Sequence, residues 1–328
     1  MSCSSAASPR IVGVILAAGK GSRMYPFSNR FPKPLLPVCN KPLLEYHIEA
    51  MASVGIRDVF IVIGHHGFEI VEALNTGERH GVKLHYVDQE ETIGIAHAVG
   101  KLESHLHSPF LLFLGDIYFQ TDQLNRMLET FAQGGSDAVL ATKEEHDPAA
   151  IRRNFAVIED KDGYVRRVIE KPRHITNTLK GCGLYLFDLH IFDAIRRTPR
   201  TAMRDEYEIT DSIQILIDDG FKVKSECIVQ EDINLTFPAD LLSLNLAVLR
   251  RMGHSACIGR NVQIHPDACI ENSVVGDDVH IEQPISIKDC LVFRGARIKS
   301  DKDIYHSIII DSQVIPCATI MASTDESR

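Results

Sequence analysis

The sequence predicts an α/β fold on a mostly parallel sheet, followed by a solenoid of short strands. Two observations predict it. Apolar runs of strand length alternate with amphipathic helical stretches from residue 11 to about residue 220. Beyond that, apolar residues recur at 258, 264, 270, 275, 281, 287, 292, 298, 304 and 309, in steps of six, six and five. The first pattern implies βαβ units with helices on both faces of a sheet. The second implies stacked coils, each burying an apolar row against the next.

Strand runs fall at 11–16, 59–63, 84–87, 110–114 and 138–141. Each is short and mostly apolar. Between them the spacing predicts helices over 42–54 (closed by Gly55), 68–74, 95–106 and 124–131, the last with Thr121 or Asp122 as its N-cap. From 155 to 187 strand signal dominates: 155–159, a turn at Asp162-Gly163, 165–169 and 183–187. These three runs read as an antiparallel edge that carries a second substrate. A long helix over 238–252 precedes the repeats. There Asn272-Ser273-Val274-Val275, Asp289-Cys290-Leu291-Val292 and His306-Ser307-Ile308-Ile309 echo one another at a spacing of 17. Three six-residue sides per coil resemble a left-handed parallel β-helix of hexapeptide repeats.

At 328 residues the chain accommodates two domains, placed at 10–252 and 253–322. It is 45% hydrophobic and 24% charged, ordinary values for a soluble globular protein. A net charge of −9 points away from nucleic acid and from anionic membranes, so an anionic substrate needs a local basic site. The eight cysteines contain no Cys-x-x-Cys pair and no zinc spacing, which reads as reduced thiols in a cytoplasmic protein. Residues 1–9 read as a disordered tail, and no segment approaches the length of a transmembrane helix.

The local basic site follows the first strand, in Leu16-Ala17-Ala18-Gly19-Lys20-Gly21-Ser22-Arg23-Met24 and Pro32-Lys33-Pro34-Leu35-Leu36-Pro37. Gly19 and Gly21 let backbone amides approach a bulky anion. Arg23 adds a planar fork suited to phosphate, and Lys33 adds a movable point charge. Two cations and a nest of amides suit a nucleoside triphosphate. The pattern is neither a Walker loop nor Gly-x-Gly-x-x-Gly.

The whole string, with Met24, Pro26 and Val38 in register, resembles the signature of the sugar-1-phosphate nucleotidylyltransferases, the nucleotide-sugar pyrophosphorylases. That resemblance implies a Rossmann-like nucleotide-diphospho-sugar transferase domain. It also implies that Leu16, Ala17, Gly19, Lys20, Gly21 and Ser22 bind nucleotide, that Arg23 and Lys33 serve catalysis, and that Mg²⁺ is the cofactor.

Phe113-Leu114-Gly115-Asp116 sets a carboxylate just past a buried strand, a natural Mg²⁺ ligand beside a triphosphate. The family's Leu-Gly-Asp carries its main metal aspartate, which implies that role for Asp116. Many relatives place a second ligand Asp four residues before a proline. In Asn234-Leu235-Thr236-Phe237-Pro238 this chain has Asn234 there, a neutral carbonyl ligand, with Asp232 as the fallback.

Glu170-Lys171-Pro172 sets a carboxylate able to accept from sugar hydroxyls beside an ammonium able to reach an ester phosphate. It matches the family's Glu-Lys-Pro, implying that Glu170 holds the sugar and Lys171 its phosphate. Gly183 falls on the following sugar-site strand, where it allows close approach. Relatives often carry Tyr-Gly at Asn154-Phe155, so Phe155 is expected to intrude on the sugar pocket. Gln89, ahead of Gly94 and a helix, can pair its amide with the edge of uracil or thymine. In the family such a Gln accompanies uridylyl- and thymidylyltransferases.

The expected reaction is transfer of a nucleotidyl group from UTP or dTTP to a sugar 1-phosphate, releasing pyrophosphate. A non-catalytic regulatory or scaffold subunit is the alternative, opposed by the presence of Arg23, Lys33, Asp116 and Lys171 together. The repeats offer no obvious catalytic His for acyl transfer, so the solenoid is expected to serve assembly of a homo-oligomer.

Overall fold

The computed structural model describes residues 10–175, 177–202 and 205–317. The expected tail at 1–9 and the last expected β-helix residues, 318–322, lie outside them. Contacts divide the chain into two compact units. One holds residues up to Lys20 together with Leu44–Asp232; the other holds Gly21–Leu43 with Ile233 onward. This cuts the chain differently from a boundary at 252, because both Gly21–Leu43 and the residues from Ile233 to Met252 group with the solenoid.

The first unit is a nine-stranded sheet flanked by helices. Its strands are β1 (Val12–Leu16), β2 (Asp58–Ile63), β3 (Lys83–Asp88), β4 (Phe110–Leu114), β5 (Ala138–Glu144), β6 (Phe155–Glu159), β7 (Val165–Glu170), β8 (Leu179–Phe187) and β9 (Val223–Cys227). Its helices are α1 (Leu43–Ser53), α2 (Gly67–Leu74), α3 (Ile95–Gly100), α4 (Asn125–Ala132), α5 (Pro148–Arg153), α6 (Ile191–Arg197) and α7 (Ile209–Asp218). The order is β7-β6-β8-β4-β1-β2-β3, with β5 also on β8 and β9 on β5. Strands β4, β1, β2 and β3 run parallel. The core is built from both faces, with Val14, Val62, Leu112, Leu140, Tyr185 and Phe187 among its buried residues.

Three expectations are corrected. The β6–β7 hairpin does end the sheet, but β8 lies inside it, antiparallel to both β4 and β5. Eight of its nine residues are buried, as a strand covered on both faces requires. The helix expected over 95–106 stops at Gly100, beyond which bonds such as Leu102 N–H to Val99 O (2.9 Å) run to the third residue back. Neither Thr121 nor Asp122 caps α4; Leu124 occupies the N-cap, and the Thr121 hydroxyl accepts from Gln123 N–H in a preceding turn.

In the second unit the strands stack into three parallel ladders. One runs through Ala256–Ile258, Ser273–Val275, Leu291–Val292 and Ser307–Ile310. The others run through Gln263–Ile264, His280–Ile281 and Arg297–Ile298, and through Cys269–Glu271, Ser286–Lys288 and Ile304–Tyr305. Partners such as Ala256 and Ser273, or Val274 and Leu291, are 17 residues apart, so one coil takes 17 residues. Val275, Ile281, Ile287, Val292, Ile298, Ile304 and Ile309 form its buried interior. The 17-residue echo marks the corners: Asn272, Asp289 and His306 all adopt left-handed φ, at 43°, 54° and 44°. Asn and Asp tolerate that conformation better than other side chains. Helix α8 (Pro238–Arg251) packs on this β-helix and on the short strand Pro37–Val38.

Candidate active site

The carboxyl ends of β1 to β4 gather several predicted residues in the first unit. Strand β1 ends at Leu16, and Ala17 N–H donates to Val62 O at 2.8 Å. Gly115 N–H donates to Leu16 O at 2.9 Å, which ties the loop carrying Asp116 to the start of the glycine-rich turn. A Cβ on Gly115 would sit 2.5 Å from that same Leu16 oxygen, so only glycine permits the approach. Ala17 is buried, whereas Gly19 and Lys20 are exposed, and a Cβ at Gly19 would meet open space. Ligands of open parallel sheets bind at such carboxyl edges.

Asp116 is half-buried and has a neighbour that sequence reading passed over. His47, fully buried on α1, donates from Nε2 to Ile117 O at 2.8 Å and lies against the rings of Phe113 and Phe119. Burial pushes its pKa down to about 4, against the upward pull of the Ile117 carbonyl and the Asp116 charge. The imidazole is therefore neutral at physiological pH. A histidine inside a helix's apolar run carries no motif, so nothing in the sequence flags it.

Gln89 follows β3, is 5% exposed, and has its amide protons engaged within the chain. Nε2 donates to Glu91 O at 2.8 Å and to His97 Nδ1 at 3.3 Å. Oε1 is the acceptor of that amide and takes no part in these two bonds. Gly94, at φ 117°, packs on Tyr207: a Cβ would sit 2.4 Å from both Tyr207 N and O. Tyr207 N–H donates to Ile93 O at 2.9 Å and Ala96 N–H to Tyr207 O at 3.0 Å, so the loop is stitched from both sides.

Glu170 ends β7 and Lys171 follows with left-handed φ (44°), its N–H bonded to Asn154 O at 2.8 Å. The Lys171 ammonium lies 3.9 Å from Glu170 Oε1, while Thr210 Oγ1 donates to Glu170 Oε2 at 3.4 Å. Thr210 is a second residue that sequence reading passed over; a hydroxyl near the start of α7 is an ordinary helix residue. Phe155 does not intrude on a pocket. It is 5% exposed, stacks on Tyr185 (6.1 Å, 16°) and lies over its strand partner Gly181, where a Cβ would be 1.9 Å from the ring. Gly183 allows close approach by the chain itself: a Cβ there would sit 2.8 Å from Leu114 and 3.0 Å from Ile117.

The fallback metal ligand is already engaged. Both Asp232 oxygens accept from Lys180 Nζ at 2.7 Å, with the two side chains 4–5% exposed, and Lys143 Nζ stands 3.8 Å away. Two ammonium groups thus already offset the charge that a dication would need from this carboxylate.

The second unit carries Gly21, Ser22, Arg23, Lys33 and Asn234. Gly21 is left-handed (φ 61°), and the position of its missing Cβ lies 3.4 Å from Lys33 Cε. Ser22, Arg23 and Asn234 are exposed, and the Arg23 guanidinium lies 5.9 Å from the centre of the Phe237 ring. Among the described residues Glu45, Glu49 and His80 also cluster as metal ligands do, but Arg79 already pairs with Glu45 at 2.6 Å and donates to His80 Nε2 at 3.0 Å.

Residues 12–232 match the family model described as nucleotidyl transferase. The chain is 34% identical over 240 residues to a low-salt glycan biosynthesis nucleotidyltransferase of Haloferax volcanii, covering 72% of this chain and 66% of that protein. It is 34% identical over 272 residues to a glucose-1-phosphate thymidylyltransferase of Streptomyces antibioticus, covering 79% and 74%. The chain thus spans about two thirds to three quarters of the length of these relatives. A crystal structure from Bacillus anthracis, described as a glucose-1-phosphate thymidylyltransferase in complex with a sucrose, superposes with a TM-score of 0.65. It is 27% identical, over 73% of this chain and 95% of that one.

Proposed function

Because the chain belongs to the nucleotidyl transferase family, we propose that it transfers a nucleotidyl group from UTP or dTTP to a sugar 1-phosphate, releasing pyrophosphate. The observation that carries this reading is the Gly115 N–H to Leu16 O bond, which sets the Asp116 loop against the glycine-rich turn at one edge of the sheet. The attacking group is a phosphate oxygen of the sugar ester. It forms a new bond to the α-phosphorus in line, the bond to the bridging β-oxygen breaks, and pyrophosphate leaves with the electron pair. The attacking oxygen is already ionised, so no general base is needed. Catalysis is positioning and charge neutralisation.

In this reading the amides of residues 19–22 and the Arg23 fork hold the departing β- and γ-phosphates. Lys33 neutralises the α-phosphate, Lys171 orients the attacking phosphate and Glu170 accepts from sugar hydroxyls. Gln89 Oε1 accepts the imide N–H that uracil and thymine share. Asp116, just past β4 at the carboxyl edge of the sheet, suits a divalent cation. Asn234 would add a neutral carbonyl. Mg²⁺ bound there would offset phosphate charge.

Assembly into a homo-oligomer belongs to the same proposal. Ile258 and Ile264 of the first coil, 43% and 38% exposed, are apolar residues that a second copy would cover, which light scattering of an Ile258→Ser variant reads. The described cysteines are free thiols, in keeping with a cytoplasmic setting. Among the described residues no helix is long and apolar enough to cross a membrane.

The test is a pyrophosphate-release screen of nucleoside triphosphates against sugar 1-phosphates with Mg²⁺. Release with UTP or dTTP that depends on the sugar phosphate is expected. Triphosphate binding without release against any sugar phosphate would instead favour the regulatory subunit.

A further inference from the structure

The β-helix does more than stack. Segment Gly21–Leu43, which carries Arg23 and Lys33, is fastened to α8 and the coils at several separate points within the second unit. The buried ring of Phe27 stacks on Phe293 of the third coil at 5.1 Å and 19°, and Phe31 lies tilted against that ring at 5.7 Å. Phe293 is itself 4% exposed, so Phe27 and Phe31 help to seal it from water. Arg30 forks onto both Asp311 oxygens, at 2.5 and 3.3 Å. At the far end, Cys39 and Asn40 form the tight turn of the hairpin Pro37–Val38 and Lys41–Pro42, both with left-handed φ. Buried Asn245 of α8 clamps that hairpin, accepting from Cys39 N–H at 2.8 Å and donating to Pro37 O at 2.9 Å. Asn40 Nδ2 donates to Val275 O at 2.8 Å.

Arg23 precedes the aromatic anchor by four residues, and Lys33 lies between that anchor and the clamp. A stretch of about ten residues free at either end would sample many conformations, and fixing it costs entropy that the anchors supply in advance. We propose that the β-helix is the positioning scaffold of the catalytic cations, with Phe293 and Asn245 as positioning residues for Arg23 and Lys33. This rests on the function proposed above, and it replaces the assembly-only role expected from the sequence. The coils set the geometry of the turn that meets the triphosphate.

The experiment uses the full chain carrying Phe293→Ala, Phe293→Leu or Asn40→Gly. The last keeps the left-handed turn and removes the side-chain bonds to Val275 O and Cys257 Sγ, both on the coils. Hydrogen exchange is followed in Gly21–Leu43 and in the nine-stranded sheet, alongside kcat and KM for both substrates. For Phe293→Ala, exchange in the segment should rise at least about tenfold with the sheet unchanged. Its kcat should fall about tenfold or more, while KM for the sugar phosphate stays within about threefold, and Phe293→Leu should recover part of both losses. Should Phe293→Ala also loosen the sheet, the milder Asn40→Gly decides, with the same pattern at smaller amplitude. Raised exchange with unchanged kcat would overturn the proposal, as would unchanged exchange. Lys33→Ala separates the two readings: full turnover in that variant would sink the function proposed for the cation, whereas the exchange result stands independently.

Discussion

Lys180 Nζ donates to both carboxylate oxygens of Asp232 at 2.7 Å, and the pair is sealed from water. The two residues sit on β8 and just past β9, 52 positions apart. Removing one partner of such a pair strands the other charge, at a cost of about 3–5 kcal/mol. Asp232→Ala should therefore lose stability on that scale in urea unfolding. In the folded fraction its Mg²⁺ midpoint should match wild type. A shifted midpoint at full stability would return Asp232 to the metal.

Gly94 meets the backbone of Tyr207 where a side chain would begin, and its φ of 117° is strained for any other residue. Gly94→Ala should cost about 1–3 kcal/mol from strain alone. Relief of the clash moves Ile93–Ala96 and with it Gln89. The expected phenotype is a raised KM for the triphosphate, with KM for the sugar phosphate unchanged. Equal KM values for Gly94→Ala and wild type would place the base elsewhere.

The bond from Gln89 Nε2 to His97 Nδ1 makes the loop proposed to meet the base sensitive to pH. Burial lowers the His97 pKa below its usual value, helped by the charge of Lys101. Because the folded pKa is depressed, the stabilising contribution is present above about pH 6.5 and is lost as pH falls through the folded value. Protonation puts a hydrogen on Nδ1, opposite a donor, and breaks the bond. Triphosphate affinity, measured by calorimetry, should fall in that acid window. His97→Asn keeps a carbonyl acceptor and should flatten the fall. Parallel pH profiles for the two proteins would mean that phosphate titration alone is responsible.

The parallel sheet and the coils were legible because their signals are periodic and local. Buried runs such as Phe110–Leu114 and the 17-residue echo at Asn272, Asp289 and His306 report directly on burial and on left-handed corners. What stayed hidden depends on partners distant in sequence. Phe155 reads as an intruder until Gly181 is seen beneath its ring, 26 residues on. Asp232 reads as a ligand until Lys180 is seen to occupy it. His47 carries no local pattern, since its burial against Phe113 and Phe119 and its bond to Ile117 come from residues some 70 positions away. Among the contacts that join Gly21–Leu43 to the coils is the stack of Phe27 on Phe293, a residue with no sequence signal of its own.

Lys33, Asp116 and Asn234 test the proposed chemistry most directly. An oriented donor at developing charge is worth a few kcal/mol, so Lys33→Ala should keep the fold and cut turnover by about two orders of magnitude or more. Asp116→Ala should abolish Mg²⁺-dependent turnover while leaving in place the bond from His47 Nε2 to the Ile117 backbone carbonyl, which does not involve the Asp116 side chain. Asn234→Asp should keep or tighten metal affinity, because it adds a charge at a ligand that otherwise offers a neutral carbonyl. Binding of Mn²⁺, followed by electron paramagnetic resonance with a non-hydrolysable triphosphate, reads affinity apart from turnover. Weaker Mn²⁺ binding in Asn234→Asp, or undiminished binding in Asp116→Ala, would remove that residue from the metal.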